Sequence, residues 1–301
     1  CRGTPSGIYG YYIYKKIKIP FYVESFEPHA DYMYESGVWG KFSLKFIMEN
    51  YWENKQKIYA EKLFTVSHGY KDYLITNGCD SNKLDVIPCC VDLDKFKFNE
   101  DNRILYRNIL KINDEITGIY VGKFGGLYYN EEAYKIFKSA FDYFKYKFKL
   151  IILSPSNKSD IKTQLINYGI NHQDFIVNSV PHDEVPLYLS ASDFAFSLYK
   201  PSPSKKYLSP IKNGEYWANG LPIIMTKGIG DDDKIIDYND CGATFDLKNN
   251  ELIKSLMKIE VIINSGSRIK TSQKIKEIAL KYRDFSISKN IYNKVYGTIH
   301  S

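Results

Sequence analysis

The stretch SPIKNGEYWANGLPII (209–224) gathers the residue types with the clearest chemical potential in the chain. Ser209 followed by Pro210 predicts a helix start, with serine as N-cap and proline at the first helical position, where its missing N–H costs nothing. Asn219-Gly220 predicts a left-handed stop, and Leu221-Pro222 opens the next strand. Lys212 and Glu215 stand three apart and share one helix face. A helix N-terminus offers free N–H groups and about half a positive charge, a seat that suits a phosphate. A lysine in the first turn opposes that dipole, and a bound anion would relieve the conflict. A plain Lys–Glu surface pair explains the same spacing, and spacing alone favours it.

The surrounding elements decide where this helix sits. Three short apolar runs mark the first hundred residues: IPFYVESF (19–26), KLFTVS (62–67) and KLDVIP (83–88). Each is brief and bounded by turn or cap residues, as buried parallel strands are. A long helix is expected over about 40–61 and a shorter one over about 68–77. The polar segment NEDNR then reads as a domain junction. Further strands follow at 116–122, 149–154, 174–179, 193–198, 221–226 and 242–247, alternating with helical segments. That alternation predicts right-handed βαβ units and an open parallel sheet. The helix at 209 follows a strand's carboxyl end, the edge where open α/β sheets bind ligands.

Composition narrows the class. The chain has 301 residues, enough for two domains with their own cores. Its 41 Lys+Arg against 35 Asp+Glu leave a charge of only +6, with no concentrated basic stripe, so a nucleic-acid partner is not expected. The five cysteines, at 1, 79, 89, 90 and 241, show no metal-ligand spacing and read as free thiols in a reducing compartment. No apolar run approaches the ~20 residues of a spanning helix. The sequence starts at Cys1 without Met or signal peptide, which reads as an internal fragment lacking upstream strands.

KKYLSPIKNGEYWANGLPII resembles the sugar-nucleotide signature of GT-B glycosyltransferases of family 4, in its "SPxKxxEYxAxGxPVI" form, through Ser209, Pro210, Lys212, Glu215, Tyr216, Ala218, Gly220 and Pro222. YVGKFGGLYYNEEAYKIFKSAF resembles the segment that opens their second domain. DVIPCCVDLDKF is similar to the stretch that ends the first, with Cys89-Cys90 in place of Asn-Gly. VPHDEVPLYLSASDFAFSLYKP looks like the helix and strand before the signature, with Asp183, Glu184 and Asp193 in structural roles.

The resemblance implies two Rossmann-like domains with parallel sheets facing across a cleft: an incomplete first domain (1–100), a nucleotide-sugar domain (101–284) and a C-terminal helix (285–301) able to cross back. It implies a retaining transferase that moves a sugar from a nucleoside-diphosphate sugar to a saccharide or lipid-linked acceptor, without a cofactor, in the cytoplasm or at the inner membrane face. Glu215 would accept hydrogen bonds from the donor ribose, while Ser209, Pro210 and Ile211 present backbone near the diphosphate. Lys123 and Lys212 would act as counter-charges to the diphosphate. Gly122, Gly125, Gly126, Gly228 and Gly230 would allow close approach to substrate. Many members carry a first glutamate separated from the second by seven residues; Tyr207 occupies that position here, beside the donor. Leu127, Tyr128 and Tyr129 stand where a second basic residue is usual.

CRGTPSG and VESFEPHADYM are similar to first-domain pieces that enter the cleft, which makes Arg2 and Glu27 cleft candidates and His29 a catalytic candidate there, beside Lys123 and Lys212. His29 reads equally as an ordinary surface histidine. The acidic strings Asp231-Asp232-Asp233 and Asp92-x-Asp94 read as a helix start and a domain-ending loop, so no metal requirement is expected. The aromatic and lysine mixture in IYGYYIYKKIKIPF and around Trp39, Lys41, Phe42, Lys45, Phe46 and Trp52 suits a membrane interface, and equally a helix packed on a sheet. A non-catalytic nucleotide-sugar-binding subunit and a sugar-nucleotide epimerase remain as alternatives.

Overall fold

The structure, a computed structural model, describes residues 1–249 and 251–297. Its first part comprises α1 (Gly3–Ile17), β1 (Tyr22–Ser25), α2 (His29–Glu35), α3 (Leu44–Tyr59), β2 (Lys62–Thr65), α4 (His68–Thr76) and β3 (Leu84–Val86). The three strands form a parallel sheet in the order β1-β2-β3. Phe21, Val23, Leu63, Tyr70 and Leu84 make its core.

The second part begins with α5 (Glu100–Ile109), β4 (Ile116–Val121), α6 (Glu131–Phe144), β5 (Phe148–Leu153), α7 (Lys158–Asn167), β6 (Phe175–Asn178) and α8 (Val185–Ala191). It continues through β7 (Phe194–Ser197), α9 (Ile211–Ala218), β8 (Ile223–Thr226), α10 (Asp232–Asn239) and β9 (Gly242–Phe245). Helices α11 (Leu252–Asn264), α12 (Arg268–Arg283) and α13 (Phe285–Gly297) complete it. The six strands are parallel, in the order β6-β5-β4-β7-β8-β9. Strands β7 and β8 are buried along their whole length, as expected of strands covered on both faces. One face carries Phe137 of α6 and Leu256 of α11 against Phe196; the other carries Leu189 of α8, Trp217 of α9 and Ile275 of α12 against Ile223. Strand order reverses between β4 and β7, and the crevice outside their carboxyl ends is the natural ligand position.

Three helices depart from the sequence expectation. The NEDNR segment, expected as a domain junction, forms the start of a helix: Asn99 accepts the Asn102 N–H at 2.8 Å and caps α5, whose first turn holds Glu100 and Asp101, favourable to its dipole. Arg103 and Arg107 of α5 then grip Asp193 ahead of β7, so the segment is fixed by ion pairs half-buried against the sheet. Helix α1 has apolar side chains on every face, so its periodicity was weak. Helix α2 is too short for periodicity to mark it.

The chain returns to the first sheet at its end. Val91 N donates to Arg283 O at 2.8 Å, and α13 lies beside β1 and β2, where Tyr292 donates to Glu24 at 2.6 Å and its ring meets Phe64. Residues 298–301 of the expected terminal helix lie outside the described residues.

Candidate active site

Helix α9 begins one turn position later than the Ser-Pro signal predicts. Pro210 is the N-cap and no side chain caps the helix. Ser209 is otherwise engaged: its hydroxyl accepts the Cys89 N–H at 3.1 Å and pairs with the Arg283 guanidinium. Arg283 also binds Asp232, which in turn accepts from Asn213 at 2.7 Å; Asn213 accepts from Ser197 at 2.6 Å. This buried chain ties α9 to β7, α10 and the end of the first sheet's region. Tyr216 adds a fourth tie by accepting the Val121 N–H of β4 at 3.2 Å.

So anchored, α9 presents Lys212 to a cavity of about 520 Å³. Its walls come from the carboxyl ends of three strands: Gly122, Lys123 and Tyr128 after β4, Leu153 and Ser154 after β5, Ser179 and His182 after β6. Lys212 Nζ lies 4.1 Å from the Tyr128 ring centroid and donates to its hydroxyl at 3.0 Å. Gly122 makes room for it, because a Cβ there would stand 2.5 Å from Nζ. Among the described residues no carboxylate lies within 4 Å of Lys123 or Lys212. Two cations therefore share one cavity whose lining holds no carboxylate, with Glu215 acting on Lys212 from beyond it. An anion is the complementary ligand.

Glu215 is not the surface carboxylate that spacing alone favoured. Its side chain is 7% exposed and Oε1 stands 2.9 Å from Nε2 of His182. Burial pushes the carboxyl up, opposed by the His182 hydrogen bond and the charges of Lys212 and Lys95. His182 packs on Phe96 with ring centroids 5.2 Å apart. This partner was missed in the sequence because it lies 33 residues from Glu215, on a different loop.

The remaining expected residues divide clearly. Gly125 and Gly126 adopt φ of +79° and +62° in the loop beside Lys123, with open space where a side chain would stand. Gly228 is likewise open, whereas a Cβ on Gly230 would fall 2.1 Å from Leu208 O, so Gly230 serves a close backbone packing and its space is already filled. Pro210 and Ile211 form the start of α9, with Ile211 about half exposed. Tyr207, expected beside the donor, is instead buried against Tyr70 and Tyr73 of α4, its carbonyl accepting from Ser67 at 2.7 Å. Those aromatic contacts join the two sheets' regions, and Tyr207 does not line the lysine cavity.

The first-sheet candidates do not join the lysine cavity. Arg2 is exposed, lying 3.6 Å from Glu24 and over the Phe26 ring. His29 Nδ1 meets Glu27 at 2.8 Å, which raises the imidazole pKa, and its ring packs against Tyr32 and Trp39. Its backbone N–H and that of Ala30 donate to Glu53, whose carboxyl burial pushes up to about 8. Two carboxylates span the sheets' regions directly. Glu35 accepts from Ser202 and Ser204, and Asp231 accepts the His68 and Gly69 N–H groups at the start of α4.

Two all-parallel sheets of three and six strands, with helices around them and a cavity at the larger sheet's switch point, define the GT-B fold. Neither a protein-family model nor a curated protein matches the sequence. Solved structures match over nearly the whole chain. Sucrose-phosphate synthase from Thermosynechococcus elongatus is similar at a TM-score of 0.72 and 14% identity, covering 99% of this chain and 73% of that one. Anabaena HepE in complex with UDP gives 0.75 and 12%, covering 98% and 77%. WaaG, a glycosyltransferase involved in lipopolysaccharide biosynthesis, gives 0.71 and 14%, covering 97% and 82%.

Proposed function

We propose that this chain is a retaining glycosyltransferase that transfers a sugar from a nucleoside-diphosphate sugar to a saccharide or lipid-linked acceptor. The observation that carries this is the pair Lys123 and Lys212 in a 520 Å³ cavity at the start of α9 whose lining holds no carboxylate. The HepE structures similar to this chain hold UDP and UDP-glucose, which supports a nucleotide-sugar donor here. In this reading the diphosphate lies against the two lysines and the uncapped helix start, with the ribose toward Glu215.

The bond from the sugar's anomeric carbon to the β-phosphate oxygen breaks, and its electron pair leaves with the diphosphate. The two cations are placed where that negative charge develops, and they need no rearrangement to meet it. The acceptor oxygen bonds the anomeric carbon on the face the phosphate leaves, and its proton passes to the phosphate oxygen. No protein base is then needed.

A required metal is not part of the proposal. The carboxylates of Asp231, Asp232 and Asp233 are each committed to protein donors: His68 and Gly69 N–H, Arg283 and Asn213, and the Gly228 and Lys234 N–H groups. The setting in this reading is cell-surface polysaccharide or glycolipid assembly on the cytoplasmic side.

The test incubates the chain with UDP-, GDP- and ADP-sugars and a panel of saccharide acceptors, following nucleotide release and the anomeric proton of the product by NMR. Release with retained configuration, unchanged by a chelator, is expected. Binding without release would favour a non-catalytic subunit, and an inverted anomer would overturn the mechanism.

A further inference from the structure

We propose that Tyr128 is a further catalytic residue, whose phenol O–H donates to the terminal phosphate of the nucleoside diphosphate as the sugar departs. This inference deepens the transfer reaction proposed above and rests on it. Tyr128 is half-buried and lines the cavity beside Lys123 and Lys212. Its oxygen accepts from Lys212 Nζ at 3.0 Å, and an ammonium can only donate. The other neighbour of the phenol is Tyr199, a buried ring whose centroid lies 4.8 Å away. Burial holds the Tyr199 pKa well above its ordinary value and the contact with Tyr128 raises it further, so Tyr199 keeps its proton and is the donor of the pair. Two donors therefore face the Tyr128 oxygen. Among the described residues no protein acceptor takes the Tyr128 hydrogen, which is left for the cavity.

The backbone fixes this phenol in place. Tyr128 forms an antiparallel bridge with Tyr199, flanked by Tyr129 N–H to Leu198 O at 3.2 Å and Lys200 N–H to Leu127 O at 3.1 Å. The loop also closes on itself, through Gly125 N–H to Tyr129 O and Tyr128 N–H to Gly125 O, both at 3.1 Å. A ring that served packing alone would need no hydroxyl at the cavity wall. As the sugar–phosphate bond breaks, its electron pair goes to the diphosphate and charge grows on the terminal phosphate. The Tyr128 O–H, polarised by the ammonium on its oxygen, is a stronger donor to that charge than a free phenol. The hydrogen bond tightens without transfer of the phenol proton, so the acceptor's proton still passes to the phosphate. A donor held ready in this way acts on the transfer step, where the charge develops.

Y128F provides the test, because it removes the O–H and keeps the ring on which Lys212 rests. Calorimetric titration uses UDP, GDP and ADP together with the matching monophosphates. A free diphosphate carries on its terminal phosphate the charge that a sugar donor acquires only as its bond breaks, so its affinity reads this donor directly. The diphosphate that wild type binds should bind Y128F about tenfold or more weakly, the range of a hydrogen bond to a charged group. Its monophosphate, which lacks the terminal phosphate, should bind both proteins alike, and the melting temperature should hold. With a sugar donor and acceptor that support turnover, kcat should fall on the order of a hundredfold while KM holds. Equal diphosphate affinity in Y128F and wild type would overturn the proposal and leave the transferase reading intact. So would equal weakening of both nucleotides together with a lowered melting temperature, which assigns Tyr128 to packing, or a raised KM at unchanged kcat. Wild type that binds none of the three diphosphates would overturn the transferase reading and this proposal with it.

Discussion

Replacing Arg283 with methionine should unfold the chain at markedly lower temperature. Arg283 is 2% exposed and its guanidinium serves Asp232, Ser209 and the Cys89 carbonyl at once. Methionine fills much of the aliphatic volume but leaves the Asp232 carboxyl buried with only Asn213 as a side-chain donor. Removing one partner of a buried ion pair costs about 3–5 kcal/mol, because the remaining charge is left uncompensated. At about 2 °C per kcal/mol for a large domain, the melting temperature should fall by about 6–10 °C.

The loss has a definite pH dependence. Burial pushes Asp232 up and Arg283 opposes this, so the variant's carboxyl rises further. A carboxyl with a raised folded pKa stabilises the fold while protonated and loses that contribution as pH rises, so the deficit of R283M should be larger at pH 8 than at pH 5. Differential scanning calorimetry of wild type, R283M and D232N/R283M at both pH values tests this. The double variant, with no charge left behind, should recover part of the loss. A shift under about 2 °C for R283M at pH 8, or a double variant that falls as far as the single one, would refute the reasoning.

Two further outcomes follow from the same geometry. G122A places a methyl 2.5 Å from Lys212 Nζ, so the ammonium must leave its niche; nucleotide affinity by titration calorimetry should fall about tenfold while the melting temperature barely moves. Equal affinity would show that Lys212 does not face the ligand. E53Q should raise the melting temperature at pH 8 and leave it nearly unchanged at pH 5. The wild-type carboxyl, with a folded pKa of about 8, loses its stabilising contribution as pH rises from the ordinary carboxylate range through that value. Parallel melting curves for the two proteins across pH would contradict the buried carboxyl.

The strands of the larger sheet were legible because burial on both faces demands continuous apolar runs such as KLIILS and LPIIMT, and those runs are visible in one dimension. The stop at Asn219-Gly220 was legible for a local reason too, since Gly220 needs a φ of +70°. Ser209 shows where local logic fails. Its sequence position is that of a cap, but a long-range partner, Arg283, claims the hydroxyl. Glu215 and His182 meet only through the fold, so neither spacing nor motif could reveal that the carboxylate is buried and shared. Tyr207 was assigned a ligand because of its place in a signature, and its packing on Tyr70 and Tyr73 is set by how the two sheets' regions meet. Lys123 and Lys212 lie between these cases: each was visible as a cation near a strand or helix end, while their meeting in a cavity lined by no carboxylate needed the three-dimensional surroundings.

Calorimetric titration of UDP, GDP and ADP and their sugars into wild type, K123M, K212M and K123M/K212M tests the cation pair most directly. One nucleotide series should bind the wild type. Each single variant should weaken it by about ten- to a hundredfold, the range of a charge-assisted bond, and the double variant by more, at unchanged melting temperature. Wild-type protein that binds no nucleotide, or a double variant that binds as tightly as wild type, would contradict a diphosphate site between Lys123 and Lys212.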